Sequence, residues 1–71
     1  MSTEVRAPMV GKLLSIRVET GQKINEEDEM FVLEAMKMEI PIYSPATGTV
    51  KEIKIAAGEA VEAEQLLATI E

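Results

Sequence analysis

The sequence predicts an all-β domain: a flattened β-barrel or sandwich of two four-stranded antiparallel sheets related by a pseudo-twofold axis. Three observations predict it. The chain repeats itself at an offset of 37 residues. Within each half, apolar residues alternate with period two, as in half-buried strands. The stretch Glu29–Tyr43, taken as one strand, is too long to run straight through a domain of 71 residues. From Glu29 to Tyr43 a single strand at about 3.3 Å per residue would extend roughly 50 Å. A chain this small has a radius of gyration of about 11 Å, so that stretch has to fold back.

The repeat orders the elements. An opening strand over residues 1–6 corresponds to Met38–Tyr43. "APMVGKLLSIRVETGQKINEEDEMFVLE" (7–34) lies without a gap over "SPATGTVKEIKIAAGEAVEAEQLLATIE" (44–71). Pro8 meets Pro45, Gly11 meets Gly48, Gly21 meets Gly58, Glu27 meets Glu64 and Glu34 meets Glu71. Leu13 precedes Ile16 by three residues, as Val50 precedes Ile53, which breaks the period in both halves and predicts a matching β-bulge or sharp twist. Ile16-Arg17-Val18 and Ile53-Lys54-Ile55 then alternate as strands. Thr20-Gly21 and Ala57-Gly58 supply turns. Asn25–Asp28 and Glu62–Gln65 supply second turns before the closing strands. One half is too small to bury its own apolar face, and two halves cover each other.

Half-repeats 1–34 and 38–71 leave only Ala35-Met36-Lys37 between them. On propensity alone "EDEMFVLEAMKMEI" reads as helix, being rich in good helix formers. The repeat opposes this, because "FVLE" has to do what "ATIE" does. The bend therefore falls at Met36-Lys37, a hairpin with Lys37 at its tip. Tight hairpins favour Asn-Gly or Gly-X, since their central residues need positive φ. A Met-Lys pair that fits a turn badly points to a function at that position. The pseudo-twofold axis places the chain termini at the end away from Lys37.

Composition narrows the function classes. There is no cysteine and no histidine, which removes thiolate chemistry, Ser-His and Cys-His nucleophile pairs and the commonest transition-metal ligand. We therefore expect no catalytic residue and no metal site. The acidic run Glu26–Glu29 lacks the alternating ligands and central Gly of a calcium loop and reads as a solvated turn. The chain has 13 acidic against 7 basic residues, a net charge of −6, and only Phe31 and Tyr43 as aromatics, so it offers no footprint for nucleic acid. No stretch approaches the roughly 20 apolar residues that span a bilayer. Met1-Ser2-Thr3-Glu4 is not the basic start of a signal peptide, and the expectation is a cytoplasmic monomer. Taken alone, Lys37 is a solvated surface charge like Lys12, Lys23, Lys51 and Lys54. The repeat sets it apart.

"EAMKME" (34–39) resembles the attachment motif of biotinyl domains, the biotin carboxyl carrier family. "APMVGKL", "ETGQKI", "SPATGTV" and "AAGEAV" are similar to the family's supporting elements, and the resemblance covers nearly the whole chain. It implies the biotinyl/lipoyl-carrier fold, a barrel-sandwich hybrid, with biotin attached covalently to Lys37 by a separate biotin–protein ligase. In that reaction the lysine Nζ attacks a biotinyl-adenylate and forms an amide. A free lysine is mostly protonated at neutral pH and no histidine here takes the proton, so activation belongs to the ligase. The resemblance further implies a carboxyl group carried between a biotin carboxylase and a carboxyltransferase on an arm reaching ~14 Å from the Lys37 Cα. The flanking Glu34, Ala35, Met36, Met38 and Glu39 are the implied ligase-recognition residues. Met36 and Met38, spaced by two, are expected to share a strand face, their flexible thioethers suiting a partner pocket. Ala35 is expected to stay small for the partner's approach.

Alternatives stay open. Related lipoyl domains share the fold, usually with Asp-Lys-Ala at the tip, so lipoate on the same lysine through a lipoyl ligase, or acceptance of both groups, is the near rival. An unmodified β-sandwich interaction module is the rival from another class. The chain departs from the family's frequent Gly-Asp before each closing strand, having Glu27-Asp28 and Glu64-Gln65. The gapless halves leave no room for the "thumb" insertion of some carriers. The expectation is a thumbless carrier, free-standing or excised from a larger carboxylase.

Overall fold

A computed structural model describes residues 2–71; Met1, which the repeat aligns with Met38, lies outside the described residues. Eight strands run in order: β1 (Thr3–Arg6), β2 (Gly11–Ile16), β3 (Lys23–Ile24), β4 (Glu29–Ala35), β5 (Met38–Tyr43), β6 (Gly48–Ile53), β7 (Ala60–Val61) and β8 (Leu66–Ile70). They form two antiparallel four-stranded sheets, ordered β1-β8-β6-β3 and β5-β4-β2-β7. No helix occurs among the described residues, so none is long and apolar enough to cross a membrane. The helix-forming composition of 27–40 yields to strand pairing over β4 and β5, as propensity does when tertiary context opposes it. The molecule measures 32 × 17 × 16 Å with a radius of gyration of 11.1 Å.

The two halves share one register. Thr3↔Ile70 and Glu4↔Thr69 in the β1–β8 ladder correspond, residue for residue, to Ile40↔Leu33 and Pro41↔Val32 in the β5–β4 ladder. Leu13↔Leu33 and Ser15↔Val32 correspond to Val50↔Ile70 and Glu52↔Thr69. The register slips between Leu13 and Ser15 and again between Val50 and Glu52, the paired bulge that the three-residue spacing predicts. Leu14 and Lys51 are the extra residues, both turned to solvent. Ile16-Arg17-Val18 is not wholly strand, since β2 stops at Ile16 and β6 at Ile53. The Arg17 N–H still donates to the Met30 carbonyl at 2.7 Å, as the Lys54 N–H does to Leu67 at 2.7 Å. Those bonds continue the same register one residue past each strand, and Val18 and Ile55 just beyond them are buried.

The core lies between the sheets and is built from repeat pairs: Leu13 with Val50, Ile24 with Val61, Met30 with Leu67, Leu33 with Ile70. Each such burial stabilises by roughly 1.5–3 kcal/mol. Phe31 breaks the symmetry, its counterpart being Ala68, and both are fully buried in the core. The departure from Gly-Asp leaves the turns intact: Glu27 and Glu64 take φ of 78° and 67°, a left-handed conformation costing a non-glycine residue roughly 1–2 kcal/mol. Their backbone bonds are conserved between the halves, Glu27 N–H donating to the Ser44 carbonyl at 2.8 Å and Glu64 N–H to Ala7 at 2.9 Å.

Candidate functional site

β4 and β5 pair from Glu29↔Tyr43 to Ala35↔Met38, leaving Met36 and Lys37 as a two-residue loop. Both have positive φ, 52° and 64°, the handedness that matches the twist of a two-residue hairpin. Neither residue favours that conformation. The flanking strands impose it: Phe31, Leu33 and Ile42 are buried, and a one-residue slip of the ladder would turn each of them to the opposite face. The core thus holds the register, and the register leaves two residues to make the turn.

The implied recognition residues fall into distinct settings. Met36 is 88% exposed and Met38 65%, a large apolar surface beside an exposed Lys37. They do not present one strand face as sequence alternation implied. Met36 occupies the first turn position, where alternation is interrupted, and only Met38 belongs to a strand. Ala35 is 5% exposed and closes the ladder opposite Met38, so its small side chain faces the interior. Glu34 and Glu39 are exposed and directly opposite one another. Like charges so placed are mildly destabilising. Lys12, the partner of Glu34 on its other side, places an opposite charge next in the row. Among the described residues, the ion pairs Arg6–Glu4, Arg17–Glu29 and Lys54–Glu52 all lie elsewhere, and the Lys37 amine enters none of them. A primary amine on a rigid, two-strand support, free of intramolecular partners, can be acylated by an enzyme that closes over it. Among the described residues no group of three or more acids could hold a metal ion.

Behind the tip, Gly11 lets β2 approach closely. A Cβ at this position would stand 2.5 Å from the Glu34 carbonyl oxygen and 3.2 Å from the Leu33 side chain. Its counterpart Gly48 approaches the Glu71 carbonyl in the same manner, at 2.6 Å. At the same end of the second sheet as the tip, the Pro8–Val10 bend exposes two more apolar side chains, Met9 and Val10. The motif reading missed this corner. The signal was present in the repeat, where Met9 and Val10 overlie Ala46 and Thr47.

Residues 3–70 match the family model described as "Biotin-requiring enzyme". The chain is 36% identical over 70 residues to the biotinylated protein TB7.3 homolog of Mycobacterium leprae (strain TN), covering 99% of each. It is 35% identical over 69 residues to the pyruvate carboxylase of Bacillus subtilis (strain 168), matching 97% of this chain but spanning only 6% of that relative's length. The Kluyveromyces lactis urea carboxylase structure superposes on all of this chain with a TM-score of 0.94 at 25% identity, the match again spanning 6% of the larger chain.

Proposed function

Because this chain belongs to the family of biotin-requiring enzymes, we propose that it is a biotinyl carrier domain. It holds biotin as an amide on Lys37 Nζ and moves a carboxyl group between a biotin carboxylase and a carboxyltransferase. The observation that carries this reading is the exposed primary amine at the β4–β5 turn, fixed in place by a buried ladder on either side. The residues present fit such an attachment: the amine has no ion-pair partner to surrender, and strand pairing anchors its backbone.

When bound, biotin supplies a ureido nitrogen that takes up and gives up a carboxyl group. The chain's own contribution is mechanical. The β4–β5 ladder keeps the Lys37 backbone at one place while the lysine stem swings, which confines the arm and raises its effective concentration at both partner sites. No side chain of this domain is assigned a proton-transfer step; the ligase takes the proton that Nζ loses on forming the amide. Met36 and Met38 offer that ligase flexible apolar contacts. Glu34 and Glu39 give the approach a negative field, screened beyond about 8 Å at physiological salt. We place the loaded domain in the cytoplasm as a monomer, where ligase, carboxylase and transferase engage the same tip in turn.

Incubation with a biotin–protein ligase, ATP and biotin, and in parallel with a lipoyl ligase, ATP and lipoate, tests the reading by intact mass. The expected result is one biotinyl adduct per chain and little or no lipoyl adduct. Preferential lipoylation would reassign the domain as a lipoyl carrier. No adduct from either ligase would overturn the carrier reading in favour of an unmodified interaction module.

A further inference from the structure

Among the described residues, most large apolar side chains are buried; of those exposed, Leu14 sits at the β2 bulge and Tyr43 at the far end of β5, while Met9, Val10, Met36 and Met38 lie at the lysine end of the second sheet. Val10 is 67% exposed and Met9 36%. The repeat supplies an internal comparison, because the same backbone position at the other end of the molecule carries Ala46 and Thr47. There Thr47 has a folding role: its Oγ1 accepts the Glu26 N–H at 3.0 Å. Val10 has no hydroxyl and makes no such bond. Large apolar residues therefore stand exposed in the copy next to the lysine and are replaced by small or polar ones in the copy next to the chain ends.

Register locates the corner. Lys12 pairs with Glu34, and Gly11 packs against the Glu34 carbonyl closely enough to exclude a Cβ. One residue earlier, Val10 reaches the loop end of the second sheet. Adjacent strands lie about 4.8 Å apart, so Val10 flanks the strand end that carries Met36 and Lys37. We propose that Met9 and Val10 form, with Met36 and Met38, one apolar docking surface for the ligase that acylates Lys37.

Reach identifies the occupant. An enzyme that works on Nζ has to bring its reacting atoms to the end of a lysine stem, about 6 Å from the backbone, so it covers whatever surrounds the turn. An enzyme that works on the end of the loaded arm meets its target ~14 Å out and has less need to touch the corner. By register the surface is flanked by exposed Glu34, Glu39 and Glu62, with Lys12 beside Glu34; three acids against one base make its rim net acidic, so it fits a partner with an apolar cleft rimmed mainly by basic side chains.

This inference rests on Lys37 being the ligase's acceptor, and the test separates the two. The double variant Met9→Ala, Val10→Thr places at this corner the residues that the equivalent backbone already carries at the other end. Steady-state kinetics with purified biotin–protein ligase, biotin and ATP, with the domain as varied substrate, give kcat and KM; thermal unfolding gives Tm. The expected result is a fall in kcat/KM of about tenfold, almost all through KM, with Tm close to wild type. Val10→Thr alone, nearly isosteric, is expected to give about threefold by the same route and keeps the test valid should the double variant unfold. Values of kcat/KM within about twofold of wild type, or a fall through kcat with KM unchanged, would overturn the docking surface. Failure of the wild-type domain to be labelled would instead overturn the carrier reading.

Discussion

Lys37→Arg is expected to abolish biotinylation while leaving the fold untouched. Acylation needs a neutral nitrogen lone pair, and an arginine guanidinium stays protonated at any pH the protein survives. Stability is expected to hold because Lys37 enters none of the domain's ion pairs and its positive φ of 64° strains lysine and arginine alike. The check is incubation with ligase, ATP and biotin followed by streptavidin blotting, alongside thermal unfolding. Signal at background with Tm within about 2 °C of wild type, equivalent to a few tenths of a kcal/mol, is the expected pair of results. Undiminished labelling of Lys37→Arg would move the acceptor to another lysine.

Gly11→Ala and Gly48→Ala are expected to unfold at similarly lowered temperatures but to differ in labelling. In each, the new Cβ meets a backbone oxygen at 2.5 or 2.6 Å; that of Glu34 is fixed within β4 and that of Glu71 is held by the Thr49 N–H at 2.9 Å, so neither swings away as freely as a side chain would. The strand has to shift, at a cost of about 1–3 kcal/mol. For a domain this small that lowers Tm by roughly 5–20 °C, a large share of its stability. The consequences diverge because Gly11 presses on Glu34, three residues from Lys37, whereas Gly48 presses on Glu71 near the chain end. Below the unfolding transition of both variants, Gly11→Ala is expected to lower ligase kcat/KM by about tenfold, less than the roughly hundredfold that a 1 Å misplacement of a reacting group can cost because the flexible lysine stem absorbs part of the shift, and Gly48→Ala to leave it near wild type. Equal labelling of the two would mean that the close approach stabilises the sheet without positioning the amine.

Much of this fold was legible because the two halves obey one register. The bulge followed from a three-residue spacing present twice, Leu13–Ile16 and Val50–Ile53. The place of the reversal followed from subtraction, since only 35–37 lay between two equivalent β segments. What stayed hidden depends on contacts that a pattern does not encode. Alternation at Ile16-Arg17-Val18 reads as strand, yet the regular strand ends at Ile16, with one further bond in the same register from the Arg17 N–H to the Met30 carbonyl. Alternation also placed Met36 on a strand face, although the β4–β5 register spends that residue on the turn. Ala35 looked like a gap for a partner, whereas its methyl is buried at the base of the hairpin. The exposed corner at Met9 and Val10 was visible in principle, through its mismatch with Ala46 and Thr47, but it became meaningful only once register put it beside the lysine.

Peptide mapping by mass spectrometry of the ligase-treated, wild-type domain tests the central claim most directly. All five lysines are exposed but only Lys37 stands in the β4–β5 turn, so the biotinyl group is predicted on the peptide containing Lys37, with Lys12, Lys23, Lys51 and Lys54 unmodified. Label spread over those other lysines, or confined to one of them, would contradict it.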